Sequence, residues 1–174
     1  ALEFIIEETT TEENTVQFLR DSIKDPSVSG LLLGKKSRAR ELNINFHINR
    51  DSYVSHLVDG FSSGDLVTIL GNLIENSFES FTTHEKEQSV ECLIQGDENS
   101  LFVKVTDNGR GIPKDDIPNV FLYGYSTKSN EGRGIGLALI KHIVESHGGR
   151  IEVVSELRKG TEIAIIVERG RKDD

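Results

Sequence analysis

The chain has 174 residues, 36% of them hydrophobic, and sets 20 Lys and Arg against 29 Asp and Glu for a formal charge of -9. That length suits one domain with an appendage, and the acid excess argues against a nucleic-acid binder, which normally carries a basic face. No apolar run approaches the roughly 20 residues that span a bilayer. Cys92, the single cysteine, excludes an internal disulfide and sits in an alternating apolar run, where it reads as a small buried hydrophobe. No methionine occurs and the chain begins at Ala1, from which we expect a piece of a longer protein.

From Leu2 to about Ile23 a partial apolar stripe (Leu2, Ile5, Ile6, Val16, Leu19, Ile23) predicts a helix, weakened by Thr9-Thr10-Thr11. Asp25-Pro26 reads as an N-cap followed by proline at the first helical position, opening a second helix that runs to about Leu42. Lys35, Lys36, Arg38 and Arg40 cluster toward its end, where the helix dipole favours cations, and read as a solvated helix terminus. Asn43 to Asn49 alternates Ile44, Phe46 and Ile48 with polar residues, as a half-buried strand does.

Ser62-Ser63-Gly64-Asp65 starts a long helix reaching about Thr82. Residues 89–95 and 101–106 read as strands joined by a turn at Gly96-Asp97-Glu98-Asn99, and 113–134 as loop. Helix resumes from Gly134 to His147 and stops at Gly148-Gly149; strands at 150–155 and 161–167 flank a turn ending at Gly160. Consecutive strand pairs imply hairpins, hence an α+β fold: a mixed sheet with helices on one face, a two-layer sandwich.

Two glycine clusters carry the functional signal: Asp107-Asn108-Gly109-Arg110-Gly111, and Gly132-Arg133-Gly134-Ile135-Gly136-Leu137. A glycine-rich loop running into a helix N-terminus presents free N–H groups to phosphate. Asp107 ends an alternating strand. It reads as turn chemistry or as a carboxylate accepting from an adenine amino group, with Gly109 and Gly111 leaving bare backbone for the base. In the helix beginning at Leu66, the spacing puts Asn72, Glu75, Asn76 and Glu79 on one face. The two glutamates alone would be a solvated stripe. Two mid-helix asparagines are poor helix formers, and their amide oxygens suit Mg²⁺. Phe121 through Lys128 reads as a lid with aromatic anchors; Lys128 meets a phosphate or is one more exposed lysine.

In order, Asn72-Leu-Ile-Glu-Asn76, Asp107-Asn-Gly-Arg-Gly111, Phe121 and Gly132-Arg-Gly-Ile-Gly136-Leu137 resemble the N box, first glycine box, F box and second glycine box of sensor histidine kinases. These belong to the GHKL superfamily with gyrase, Hsp90 and MutL. The run Gly124-Tyr-Ser-Thr-Lys128 through Glu145, and Leu31-Leu-Leu-Gly-Lys-Lys-Ser-Arg-Ala39 upstream, resemble the citrate/dicarboxylate-sensing subfamily. The resemblance spans about residues 25–168. It implies the Bergerat ATP-binding fold, with ATP and Mg²⁺ as cofactors. It implies Asn76 as metal ligand, Asn72 supporting the phosphate and metal region, and Asp107 selecting adenine. Gly109 and Gly111 would line the base pocket, and Thr161 after Gly160 would help bind adenine through water. Gly132, Gly134 and Gly136 would hinge the lid and cradle phosphate, with Phe121, Lys128 and Leu137 beside them. Glu75 would polarise the reaction.

Hydrolytic relatives carry glutamate where this chain has Asn72, and an amide is no general base at neutral pH. The resemblance therefore implies phosphoryl transfer to a protein histidine, with a non-catalytic nucleotide-binding module or an ATPase as alternatives. The family's acceptor histidine lies on a dimerisation hairpin, followed by an acidic residue. Among His47, His56, His84, His142 and His147 none fits. The acceptor is expected upstream, with residues 1–24 the end of that hairpin, 25–168 the catalytic domain and 169–174 a tail. A response regulator receiver domain, and a membrane-anchored homodimeric parent with this domain in the cytoplasm, are further implications.

Overall fold

The structure, a computed structural model, describes residues 2–58, 60–82, 86–122, 124 and 136–169. Its helices are α1 (Leu2–Ser22), α2 (Pro26–Glu41), α3 (Ser63–Phe78) and α4 (Gly136–Ser146). Its strands are β1 (Asn45–Ile48), β2 (Tyr53–Val54), β3 (Ser89–Gly96), β4 (Ser100–Asp107), β5 (Arg150–Glu156) and β6 (Gly160–Glu168). The strands form one mixed sheet in the order β1-β3-β4-β6-β5, with β2 also pairing β3. β1 and β2 run parallel to β3, while β3–β4, β4–β6 and β5–β6 are antiparallel. This is the expected α+β sandwich.

The caps explain where the helices begin. Asp25 accepts from the N–H groups of Ser27 (2.9 Å) and Val28 (3.1 Å), and Pro26 follows at the first helical position. Ser62 and Asp65 form a reciprocal capping box at the start of α3. α2 stops where Asn43 turns left-handed, at φ 57°, just beyond its C-cap Leu42.

Layering follows from burial. β3 and β4 alternate strictly, sending Val90, Cys92 and Ile94, and Leu101, Val103, Val105 and Asp107, to the inner face. Against that face α3 buries Leu66, Ile69, Leu70, Leu73 and Ile74, each no more than 2% exposed. α2 packs beside α3 over β1, and α4 beside α3 over β5 and β6. Phe46 of β1 meets Phe78 of α3 edge to face, ring centroids 5.6 Å apart. Cys92 lies fully buried as expected, and burial pushes its thiol up to about 12. Leu19 and Ile23 join the same core, and the Lys24 N–H donates to the Val54 carbonyl at 2.8 Å.

Three details depart from the sequence reading. β2 has two residues, too few to leave an alternation. Ile117–Asn119 forms one 3-10 turn inside the expected loop. α3 ends at Phe78 rather than near Thr82, because Ser80 folds back: its hydroxyl donates to the Ser77 carbonyl at 2.7 Å, and its own carbonyl accepts from Arg110 N–H. The lid beyond Gly124, Lys128, Gly132, Gly134, His84-Glu85 and tail residues 170–174 lie outside the described residues.

Candidate nucleotide site

Two elements meet at the Asp107 end of the sheet: the C-terminal end of α3 and the turn joining β5 to β6. Asp107 is the last inward-facing residue of β4 and is only 7% exposed. Burial pushes its carboxyl above the ordinary carboxylate value; the Gly109 N–H, the Ser77 and Ser80 hydroxyls and the Thr161 N–H pull the other way. The Gly109 bond is 2.9 Å long, and the Ser80 hydroxyl, which shares its one hydrogen between the Ser77 carbonyl and Asp107, lies 3.2 Å from the carboxylate. A buried carboxylate ringed by donors is an oriented acceptor, suited to a ligand that brings a further N–H.

The neighbouring glycines fit this arrangement. A Cβ on Gly109 would collide with the Ser80 side chain, and one on Gly111 with the Glu156 carbonyl. The first glycine cluster is thereby laid against the β5–β6 turn. Arg158 N–H donates to the Arg110 carbonyl at 2.7 Å, and Ile112 N–H to the Ser155 hydroxyl at 2.8 Å. Across the sheet Asp107 pairs with Thr161, and Thr161 with Ser155. Directly paired residues share a face, so these three polar side chains form one inward row.

The α3 asparagines lie at the other end of the site. Asn72 donates to the Thr68 carbonyl at 2.8 Å, which turns its amide oxygen outward. A Cβ on Gly136, the first residue of α4, would stand 2.5 Å from that oxygen. The N-box asparagine and the last glycine of the second cluster are thus in contact. Leu137 packs half-buried against the core, Phe121 is half-buried and Asn76 is exposed one turn beyond Asn72. Among the described residues no group of three His, Cys, Asp or Glu is arranged to hold a metal. A cation here would draw on Asn76, phosphate oxygens and water, a donor set that fits Mg²⁺.

Glu75 does not face open solvent. Lys35 Nζ lies 2.6 Å from one of its carboxylate oxygens and an Arg38 nitrogen 3.7 Å from the other. Two cations of the run expected to be a solvated terminus, Lys35 and Arg38, therefore bridge α2 to α3. Lys36 also turns inward, donating to the Phe46 carbonyl at 3.2 Å, and burial lowers its pKa. Lys35→Glu is expected to lose about 1–2 kcal/mol in chemical denaturation, and Lys35→Glu with Glu75→Lys to regain most of it. An additive double variant would dismiss the pair as a stabilising contact.

Residues 62–171 match the family described as histidine kinase-, DNA gyrase B-, and HSP90-like ATPase. The chain belongs to that family. A probable C4-dicarboxylate sensor kinase of Halalkalibacterium halodurans is 40% identical over 98% of this chain and 32% of its own length. The sensor histidine kinase CitA of Klebsiella pneumoniae is 28% identical over 99% and 32%. The chain thus spans about a third of the length of these curated relatives. The catalytic domain of histidine kinase ThkA superposes with a TM-score of 0.63 at 22% identity, covering 82% of this chain and 90% of that one, and shares the fold. The resemblance to citrate- and dicarboxylate-sensing kinases is borne out.

ATP is the ligand that membership of an ATPase family implies. Sequence reasoning missed Ser77, Ser80 and Ser155 around Asp107. Serine is common in turns and strand ends; the buried face of α3 singles out Ser77, the early end of α3 Ser80, and β-register Ser155. A cavity of about 580 Å³ lies elsewhere, lined by Lys36, Arg40, Phe46, Lys86 and Gln88 among others. It shares no residue with the site.

Proposed function

We propose that this domain binds Mg-ATP and transfers the γ-phosphoryl group to a histidine on a dimerisation hairpin of its longer parent protein. The observation that carries this is Asn72: an amide, held by Thr68 and facing Gly136, stands where a hydrolytic relative has its general base. At that position water is left without a base, whereas an imidazole nitrogen is itself a nucleophile. That nitrogen bonds to the γ-phosphorus, the bond to the β–γ bridging oxygen breaks, and ADP leaves.

The chain's own residues position the reactants. Asp107 accepts from the adenine amino group, Gly109 and Gly111 let the base approach backbone, and Thr161 completes the base edge. Asn72 and Gly136 border the phosphates together, with Gly132, Gly134 and Lys128 assigned to the lid from their place in the sequence. Asn76 would hold Mg²⁺, which neutralises phosphate charge when bound. Glu75 polarises this end of α3 as one member of an ion triad rather than as a free base. The parent is read as a membrane-anchored homodimer whose partner is a response regulator receiver domain, with this domain on the cytoplasmic side.

Mixing the domain with a hairpin-bearing fragment and γ-labelled ATP tests the reaction. An acid-labile label on the fragment, dependent on Mg²⁺, is expected. No label under conditions where ATP binds, or steady-state hydrolysis in place of transfer, would overturn it. Asn76→Ala should bind ATP equally with and without Mg²⁺ while melting like the parent; a retained Mg²⁺ enhancement would remove Asn76 from the metal site.

A further inference from the structure

The Ser155 hydroxyl is the centre of three short contacts. It receives the Ile112 N–H at 2.8 Å, lies 3.0 Å from the Gly160 carbonyl and 2.8 Å from Thr161 Oγ1. A serine hydroxyl has one hydrogen and two lone pairs. A carbonyl only accepts, so the contact with Gly160 is a hydrogen bond only if Ser155 donates its hydrogen there. Its lone pairs then take the Ile112 N–H and the Thr161 O–H. In the opposite arrangement Ser155 donates to Thr161, and two acceptors face each other across 3.0 Å. The first arrangement satisfies every contact; the second wastes one and adds a repulsion.

We infer that Ser155 is a positioning residue for base selection: it consumes the hydroxyl hydrogen of Thr161, so that Thr161 faces the base edge as an acceptor only. This presupposes adenine at Asp107. Asp107 and Thr161 then stand side by side as acceptors on neighbouring strands. Such a row suits an amino group, or a water passing its second hydrogen to a ring nitrogen. It repels the carbonyl oxygen that guanine carries in place of that amino group. Ser155 touches neither base and acts through the direction of one hydroxyl.

The test is the ratio of ATP to GTP affinity, measured by titration for each variant beside its melting curve. Ser155→Ala frees Thr161 to donate to a base carbonyl, and the ratio should fall about threefold to tenfold. Ser155→Thr keeps the hydroxyl and should keep the ratio. In a Thr161→Val background, Ser155→Ala should change the ratio no further. Ser155→Cys, with a weaker acceptor, should shift it the same way by less, and serves if the alanine variant does not fold. Equal loss of both affinities in Ser155→Ala, with Asp107→Asn still lowering the ratio, would overturn the inference and leave the adenine reading standing. An unchanged ratio in Asp107→Asn would remove that reading and this inference with it.

Discussion

Asp107→Asn is expected to raise the dissociation constant for ATP about tenfold to a hundredfold and to narrow the preference over GTP, while thermal stability without nucleotide should not fall. The first effect is the loss of a hydrogen bond to a charged, buried acceptor, worth about 1.5–3 kcal/mol. The maintained stability follows from the direction of the pKa shift. Burial raises the carboxyl above its ordinary value against the pull of four donors, so ionisation works against the folded state. A folded-state value above the unfolded one means that the native protein holds the proton longer. Stability tied to this group is therefore recovered as pH falls through the folded value toward the unfolded one. Asparagine removes that charge at every pH. ATP affinity is expected to run the other way: in the parent it should weaken as pH falls through the Asp107 value, and in the variant that component of the pH profile should be absent. Calorimetric titrations between pH 4 and 8 measure both, and a variant that keeps the parent's ATP affinity and pH profile would exclude Asp107 from the base site.

Gly160→Ala is expected to lose about 2–4 kcal/mol of folding stability in urea denaturation and to weaken ATP binding with it. Gly160 has φ 128°, where L side chains are strained, and an added Cβ would strike the Asp107 carbonyl oxygen and stand 2.8 Å from Asn108 Cα. Both neighbours are backbone, so no rotamer change relieves the clash. The β5–β6 turn or the end of β4 must move, and Thr161 and Asp107 move with them. Gly34→Ala is the matched control. It lies inside α2 with nothing within 4 Å of an added Cβ, and should gain about 0.5–1 kcal/mol. A Gly160 variant as stable as the parent would contradict the close packing of this turn.

Much of this frame was legible in the chain because its signals are local. Asp25-Pro26 and Ser62-Asp65 mark helix starts by side-chain chemistry within four residues, and both caps are present. Asp107 ends an alternation already visible from Leu101, and the α+β order follows from strand pairs joined by short turns. What remained hidden depends on contacts far apart in sequence. The Lys35–Glu75 pair joins residues 40 apart, so a run of cations looked like a helix end meeting water. Ser155 acquires its meaning only from the β5–β6 register and from Ile112, 43 positions away. Ser77 lies on the buried face of the last turn of α3, and Ser80 reaches Asp107 only because α3 stops early, a change of four residues that periodicity does not resolve.

Amide chemical shifts report most directly whether the acceptor-lined end of the sheet holds the base. The ¹⁵N-labelled domain is titrated with a non-hydrolysable ATP analogue and Mg²⁺. The account predicts that the largest shifts fall on Ser80, Gly109 and Thr161, with the side-chain amides of Asn72 and Asn76 following the phosphates. Saturable binding that leaves these signals in place and instead moves Lys36, Phe46 and Gln88, around the other cavity, would contradict it.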